Sequence, residues 1–422
     1  MIRVKSLQLH NIGPFAEQEI DFSVKEGHPD IHIFTGINGT GKTTILHAIA
    51  ATLEHFEDPE KHVPYTRNNF HKRFHQFNSE ASGKYGSFAK VQLDTKSSIL
   101  SECFGCPICN NVHGKYIGPE RTYDADGNVF PPPADLLEFF MYQKGIQSEK
   151  PYQRSIGFAA FGYSGYRFIS SAKINIANEE DNNPLHGALD FVKKQDTSAH
   201  ILNWIVSRHA KAAVEESAGN KATAKRYRKA LDTLLQSIEG LTGNEYKFEI
   251  QTNPWKVVIK YFEKEVDFDV LPDGLRSVLS WMGDLLMRLD NIHWENKDTP
   301  VNEQNIVLLL DEIEVHLHPS WQYKILPFTR DVFPKAQIFV TTHSPFILNS
   351  IDKAKIYKLS SKNGESELDG FELSETGNSY NYVYENILET HNLFGYETME
   401  DLKRFDALDK EIVQKNYENE AE

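Results

Sequence analysis

The chain has 422 residues, 40% hydrophobic and 25% charged, which are the proportions of a globular protein with one large domain or two ordinary ones. Its net charge is −15, whereas a protein whose whole surface coats nucleic acid is usually basic, so any DNA contact must be a local patch. The N-terminus is not a signal peptide and no apolar run is long enough for a bilayer, so we expect a cytoplasmic protein without a membrane segment.

The first elements are predicted from apolar alternation and from a buried run. Alternation between residues 2 and 22, interrupted by Gly13-Pro14, predicts a β-hairpin. A buried strand over 31–35 and a helix over Thr43–Leu53 follow. Residues 54–155 show no regular pattern and predict an irregular region.

A glycine-rich segment joins that strand to that helix. Gly36-Ile-Asn-Gly-Thr-Gly-Lys-Thr fits G-x-x-x-x-G-K-[ST], in which backbone N–H groups converge on an anion at a helix N-terminus. A glycine turn that merely caps a helix would not need this strand–loop–helix context. Lys42 is predicted at the β- and γ-phosphates, and Thr43 as a ligand of Mg²⁺. The residues predicted to bind ATP are Asn38, Gly39, Thr40, Gly41, Lys42, Thr43 and Thr44.

All three cysteines lie close together in the irregular region. With one histidine they form a set of four possible ligands within eleven residues: Cys103, Cys106, Cys109 and His113. The spacing suits a tetrahedral zinc site, and the three cysteines alone also suit an iron–sulfur cluster. A loop with reduced thiols is the third interpretation, because a disulfide framework is excluded by the number and spacing of the cysteines.

Residues 185–240 are predicted to form a helical insertion with a buried stripe of Tyr227, Leu231, Leu234, Leu235 and Ile238. Lys221, Lys225, Arg228 and Lys229 share another face of that helix. Solvation of these cations is the favoured interpretation, and a contact with a nucleic-acid backbone, without sequence specificity, is the alternative. The mixed basic and aromatic segment 71–77 is a weaker candidate for the same contact. Strands over 245–270 and a helix over 275–289 follow.

Three buried strands are predicted at 306–310, 337–341 and 355–359. The first ends in Asp311 and Glu312, which suit a carboxylate that holds Mg²⁺ and a base that orients and deprotonates the attacking water. The second ends near His343, a candidate sensor of the γ-phosphate. A lone histidine is more often structural, so its position at the end of a buried strand carries this prediction.

In this order, the glycine loop, "LLLDEIEVHLHPSWQ" and "VTTHSPFIL" resemble the ABC-type ATPase heads of the SMC, Rad50 and RecF group. Within that group they resemble the Septu anti-phage ATPases and the overcoming-lysogenization-type ATPases. The resemblance implies an α/β fold with a RecA-like P-loop head over 1–360 and an antiparallel β subdomain. It also implies ATP and Mg²⁺ as ligands, ATP hydrolysis, and a homodimer or higher oligomer assembled through the ATP sites.

The resemblance further implies a signature loop that completes the ATP site of a partner subunit. Leu271-Pro272-Asp273-Gly274-Leu275 occupies its place, with Gly274 predicted to act in trans. Proline replaces the serine of the family pattern and removes a hydroxyl and an N–H, so we expect slow turnover. The family's metal-contacting glutamine is not assigned, and the candidates are Gln143, Gln147 and Gln153.

Three functions follow from the resemblance. The first is the ATP-hydrolysing subunit of a bacterial anti-phage complex that controls a separately encoded nuclease through ATP-dependent dimerisation. A fused nuclease is not favoured, because the 79 residues after His343 contain neither Asp-x-Asp nor a cysteine–histidine nuclease pattern. The alternative is a RecF-like DNA repair clamp, which gene neighbourhood would distinguish. A transporter ATPase is disfavoured because Pro272 breaks the signature.

The tail is predicted to be a C-terminal helical segment over 361–422 that serves assembly or partner docking. Within it, acids dominate and four apolar residues recur on one helical face: Leu402, Phe405, Leu408 and Ile412. An amphipathic helix must bury such a stripe on the head or on a partner.

Overall fold

The structure is a computed structural model that describes residues 1–53, 88–94, 99–105, 122–123, 129–130, 139, 142–143, 155–167, 169–174, 183–190, 197–253, 255–388 and 395–420. A central parallel sheet lies at its core, with strand order β15-β14-β3-β13-β12-β8. Only β15 is antiparallel to its neighbour. The strands are β3 (Ile31–Gly36), β8 (Ala159–Tyr163), β12 (Ile306–Leu310), β13 (Ala336–Thr341), β14 (Lys355–Lys362) and β15 (Glu365–Leu373).

Every residue of β12 and β13 is buried, which explains why both strands are continuous apolar runs without alternation. The predicted strands at 31–35, 306–310, 337–341 and 355–359 are all present. Because β3, β13, β12 and β8 run parallel and adjacent, their carboxyl ends meet at one edge of the sheet. That edge collects the segments that follow the strands, and it therefore positions the site described below.

An antiparallel sheet with strand order β2-β1-β4-β5-β6-β7 confirms the predicted β subdomain. It contains the predicted hairpin and corrects the expectation that 54–155 is wholly irregular. Buried residues alternate in β4 only at Ala89, Val91 and Leu93, too short a pattern to stand out in the sequence. The strands are β1 (Arg3–Ile12), β2 (Phe15–Asp21), β4 (Phe88–Asp94), β5 (Ile99–Gly105), β6 (Thr122–Tyr123) and β7 (Val129–Phe130).

A third, three-stranded antiparallel sheet confirms the strands predicted over 245–270. It consists of β9 (Lys247–Thr252), β10 (Trp255–Tyr261) and β11 (Lys264–Val266). Short 3₁₀ turns lie at Phe268–Val270 and Val301–Glu303.

The helical insertion predicted over 185–240 contains two long helices from residue 198 onward. The chain turns between them at Gly219, whose φ of +83° suits glycine, and the second helix starts at Lys221. Leu231, Leu234 and Ile238 are buried as predicted. The helices are α1 (Lys42–Leu53), α2 (Ser198–Ser217), α3 (Lys221–Thr242), α4 (Asp273–Asn291), α5 (Pro319–Val332), α6 (Pro345–Leu348) and α7 (Tyr396–Glu420), with a short turn at Tyr380–Tyr382 before a π-helical turn at Val383–Ile387.

The expectation that the tail is helical from 361 is wrong. Strand β14 continues to Lys362, and β15 returns along it, so the central sheet extends past the predicted end of the head at 360. Asn363 and Gly364 both have positive φ, the geometry of a tight hairpin turn. Helix α7 begins only at Tyr396. Among the described residues, no helix combines the length and apolarity that a bilayer crossing requires.

Candidate nucleotide-binding site

The glycine loop lies between the end of β3 and the start of α1. Gly36 and Gly41 both have positive φ, of +144° and +89°. A Cβ at Gly36 would lie 2.3 Å from the Leu359 carbonyl oxygen, and one at Gly41 would lie 2.5 Å from the Phe15 ring. Side chains are therefore excluded at both positions, and the loop presents its backbone, as a phosphate cradle requires.

The other loop residues lie where the motif predicts them. Asn38 and Gly39 are exposed, and Gly39 has a φ of +89°. Thr40 is buried and its hydroxyl donates to the Ile37 carbonyl at 2.9 Å, which ties the loop to itself. Thr44 is buried on α1. The tips of the loop thus face solvent while its two ends are anchored in the core.

Lys42 is largely buried, and its ammonium donates to the carbonyl oxygens of Gly36 at 2.9 Å and Ile37 at 3.0 Å. Burial lowers the pKa of Lys42, and the charges of Asp311 and Glu312 act in the opposite direction. The side chain therefore curls over the loop with its charge at the mouth of the cradle. Anionic phosphate oxygens are stronger acceptors than these neutral carbonyls and would replace them.

Thr43 and Asp311 meet although 268 residues separate them in the sequence. The Thr43 hydroxyl lies 2.9 Å and 3.1 Å from the two carboxylate oxygens of Asp311. Thr341 also donates to Asp311, at 2.6 Å. A hydroxyl beside a carboxylate is a set of oxygen donors that suits Mg²⁺, so the residues fit the predicted ion.

Glu312 follows Asp311 at the edge of the sheet and is exposed. Its φ of +47° is a conformation that non-glycine residues rarely adopt. Its N–H donates to the Thr341 hydroxyl at 2.7 Å, and its carboxylate lies against Gly165. The geometry directs one carboxylate, Asp311, toward the loop and leaves the other free for a water molecule.

His343 follows β13 at the same edge and is exposed. The backbone N–H of His343 donates to a carboxylate oxygen of Glu314 at 2.6 Å. Partial burial and then the charge of Lys42 lower the pKa of the His343 imidazole, which favours the neutral ring, while the charge of Asp311 acts in the opposite direction. Burial raises the pKa of Glu314. A neutral imidazole beside the loop is suited to donate a hydrogen bond to a phosphate oxygen.

The predicted signature loop lies at the start of α4, where Pro272 is the N-cap. Gly274 is buried against its own chain, because a Cβ there would lie 2.7 Å from the His316 carbonyl oxygen. The loop thus packs on the turn that follows Glu312, and its action on a partner's ATP stays a prediction.

Other predicted residues are placed only in part. Gln143 is buried, whereas Gln147, Gln153 and the segment 71–77 lie outside the described residues. Of the predicted basic face, Lys221, Lys225 and Lys229 are exposed and Arg228 pairs with Glu216 at 2.5 Å. A DNA contact there stays a prediction.

The cysteine cluster lies mostly outside the described residues. Cys103 belongs to β5, and nothing is described for Cys106, Cys109 or His113. In the part of the chain that is described, no three His, Cys, Asp or Glu side chains group as a metal site. Zinc, an iron–sulfur cluster and free thiols stay open as interpretations.

The sequence analysis missed Gly165 and Arg167, which follow β8 and lie beside Glu312. Arg167 is buried and its Nη2 donates to the carbonyl oxygens of Asp311 at 3.3 Å and Glu312 at 2.9 Å. Burial lowers the pKa of Arg167 to about 10, so it is still a cation at pH 7. The available signal was a short, mostly apolar run, "GFAAFGY" (157–163), which is followed closely by a glycine and an arginine.

Two family models match the chain. One is described as "AAA domain" and matches residues 6–242, more than half of the 422 residues. The other is described as "AAA domain, putative AbiEii toxin, Type IV TA system" and matches residues 161–349. Together they extend from the N-terminal hairpin to the segment that follows His343.

Several curated proteins are similar in sequence. "Retron Ec83 probable ATPase" of Escherichia coli is 25% identical over 405 residues, which cover 86% of this chain and 72% of that protein. "Septu protein PtuA" of Bacillus thuringiensis is 24% identical over 351 residues, 83% of this chain and 74% of that protein. A second PtuA, from Bacillus mycoides, is 30% identical over 402 residues, but this chain spans only 46% of its length.

Solved structures with a related chain path include the SMC head domain from Thermotoga maritima. It has a TM-score of 0.40 and 15% identity, and the match covers 88% of this chain and 99% of that one. An Smc head bound to the C-winged helix domain of ScpA has a TM-score of 0.45 and 14% identity, with 86% and 96% covered. Because both TM-scores are below 0.5, the fold assignment rests on the strand order described above and not on these structures.

Proposed function

The chain belongs to the AAA-domain family and is an ATPase with a head of the SMC and Rad50 type, and we propose that it is the ATP-hydrolysing subunit of an anti-phage defence complex. In this proposal, ATP-dependent dimerisation controls a separately encoded nuclease. One observation carries the chemical part: the Thr43 hydroxyl lies 2.9 Å from Asp311, which joins the phosphate loop to the Asp–Glu turn.

Each residue of the site has a role in hydrolysis under this proposal. Lys42 binds the β- and γ-phosphates, and His343 donates to the γ-phosphate. Thr43 and Asp311 are the residues that would hold Mg²⁺, and the ion would neutralise phosphate charge when bound. Glu312 orients the attacking water and accepts its proton, since its carboxylate lies at the open edge of the sheet.

The defence role is supported by the relatives. Two of them bear the name Septu protein PtuA, and others are retron ATPases. The Septu ATPases that the sequence resembles act against phage, and the similarity covers more than four fifths of this chain. The separately encoded nuclease partner is the part of the proposal that rests on this resemblance alone.

Dimerisation would bring the Gly274 helix of one subunit to the ATP of the other. Pro272 and Asp273 are exposed at the N-terminus of α4, so they are accessible to such a partner. Proline at the N-cap offers neither a hydroxyl nor an N–H, which supports slow turnover.

Helix α7 supports a role of the tail in assembly. Its apolar stripe is 41% to 67% exposed at Leu402, Phe405, Leu408 and Ile412. A stripe of this size at helical spacing is stabilised by a partner surface that covers it. We assign this segment to contacts with the complex, whereas the head retains the ATP site.

A plaque assay tests the function. The chain is expressed with the nuclease gene beside it, and phage plating is compared with that on cells carrying Glu312→Gln or Lys42→Ala. Protection by the wild-type pair and its loss in both variants are expected. Undiminished protection by either variant would separate defence from ATP turnover and contradict the proposal, as would a neighbourhood of replication and repair genes without protection.

A further inference from the structure

We infer that Gly165, Arg167 and Thr341 are positioning residues that hold Glu312 in the conformation its base function needs. This inference deepens the proposed function, because it assumes that Glu312 is the base. The Glu312 backbone has a φ of +47°, a conformation that persists in a non-glycine residue only when its neighbours hold it. Contacts to its N–H, its carbonyl and its carboxylate supply that restraint.

The first contact is from Thr341 at the end of β13. The Glu312 N–H donates to the Thr341 hydroxyl at 2.7 Å, and the same hydroxyl donates to Asp311 at 2.6 Å. One side chain therefore couples the position of the base to the position of the residue that holds the metal. Because Thr341 is fully buried in a central strand, its hydroxyl is a rigid reference point.

The second contact is from Arg167. Its Nη2 donates to the Glu312 carbonyl at 2.9 Å, while its Nε and Nη1, although buried, have no hydrogen-bond partner among the described residues. A buried cation is costly unless its donors are paired, and in the described residues only one of the three guanidinium nitrogens of Arg167 has hydrogen-bond partners. Such a costly arrangement at the base, rather than at the protein surface, points to a functional constraint.

The third contact is steric and is from Gly165. A Cβ at this position would lie 2.7 Å from a carboxylate oxygen of Glu312 and 3.3 Å from its Cβ. Gly165 has no positive φ, so its backbone does not itself require glycine. The space beside it is occupied by the Glu312 side chain, and any larger residue would push that carboxylate aside.

Two substitutions separate positioning from folding. Gly165→Ala displaces the Glu312 carboxylate, and Arg167→Lys keeps the positive charge but loses the planar fork. Each should lower single-turnover ATP hydrolysis by about 10- to 100-fold, the cost of misplacing a reacting group by roughly 1 Å. The dissociation constant of a fluorescent ATP analogue should change less than about twofold, because the phosphate loop is untouched.

The decisive measurement is a double-mutant cycle with Glu312→Gln. If Gly165 and Arg167 act through the base, their substitutions should lower the residual rate of Glu312→Gln by less than about twofold. Gly377→Ala is the matched control for Gly165→Ala, because a Cβ at Gly377 meets no atom within 4 Å. Arg3→Lys controls for the loss of a partly buried arginine away from the site. Both controls should hydrolyse ATP at the wild-type rate.

The failures are distinguishable. If Glu312→Gln hydrolyses ATP like the wild type, the proposed function fails. If Glu312→Gln is slow but Gly165→Ala and Arg167→Lys are as fast as the wild type, only the positioning inference fails. It is also overturned if either substitution slows Glu312→Gln as much as it slows the wild type, or if the rate loss is matched by an equal loss of ATP binding.

Discussion

The carboxyl edge of the central sheet and helix α7 differ in what holds their side chains, because residues of the same chain bond to the edge whereas no described residue covers the apolar stripe of α7. At the edge, Asp311 accepts hydrogen bonds from Thr43 and Thr341, residues of two other elements. In α7 the apolar stripe is exposed along its length. The chain alone determines where the carboxylates lie, whereas the stripe of α7 has its proposed counterpart in another chain.

The sharpest contrast in stability is between α4 and α7, which carry similar apolar stripes. Leu285 of α4 is fully buried, so Leu285→Ala should lower the free energy of unfolding by about 2–5 kcal/mol. Leu408 of α7 is 58% exposed, so Leu408→Ala should change it by less than about 0.5 kcal/mol in dilute protein. Urea unfolding measures both. A large loss for Leu408→Ala would show that α7 is part of the core of the head.

Lys42→Ala probes the edge directly. It removes a charged donor from the phosphate cradle, so ATP binding should weaken by about 1.5–3 kcal/mol, roughly 10- to 150-fold. Equilibrium binding of a fluorescent ATP analogue measures the change. Lys324→Ala on the exposed surface of α5 is the control and should bind as the wild type does. Equal affinity of the two variants would place the phosphates elsewhere.

Deletion of 395–422 removes helix α7 and tests its proposed role in assembly. ATP affinity should stay within about twofold of the wild type, because no residue of the site lies in α7, whereas oligomer size or co-purification of the nuclease should fall. Size-exclusion chromatography with light scattering measures the oligomer size, and affinity co-purification measures binding of the nuclease. A lower melting temperature together with weaker ATP binding would instead assign α7 to the head.

The smallest expected effect concerns the start of α4. Pro272→Ser restores a hydroxyl at the N-cap and should raise the steady-state ATPase rate by about two- to fivefold if the loop acts on a partner's ATP, since a gain of about 0.5–1 kcal/mol from one hydrogen bond gives that factor. The increase in ATPase rate of Pro272→Ser over the wild type should depend on protein concentration. A rate that is independent of concentration in both proteins would contradict a composite site.

The site could be predicted from sequence to the extent that its residues lie in local motifs. Gly36 to Thr43 reveal a phosphate loop because the mechanism demands glycines and a lysine at fixed spacing. Asp311 and Glu312 could be predicted because they follow an apolar run without alternation, which is the pattern of a strand buried on both faces. Parallel strands bring such ends together, so the Thr43–Asp311 contact follows from the two strand assignments.

Residues whose roles depend on distant packing were not predictable. Arg167 resembles an ordinary surface arginine until β8 is placed beside β12, which buries it under the Glu312 carbonyl. Strand β15 is rich in acids and was assigned to a helical tail, although an edge strand tolerates charge and Asn363-Gly364 is a hairpin signal. The turn at Gly219 inside the helical insertion has a weak sequence signal, because both flanking segments favour helix.

The most direct test of the account is the behaviour of Glu312→Gln in two measurements on the same protein. ATP binding should stay within about twofold of the wild type, because the carboxamide keeps the shape of the side chain and Lys42 still contacts the phosphates. Single-turnover hydrolysis should fall by about 10²- to 10⁴-fold, the contribution of a general base. Hydrolysis at the wild-type rate, or a loss of binding as large as that of Lys42→Ala, would contradict the assignment of Glu312 as the base.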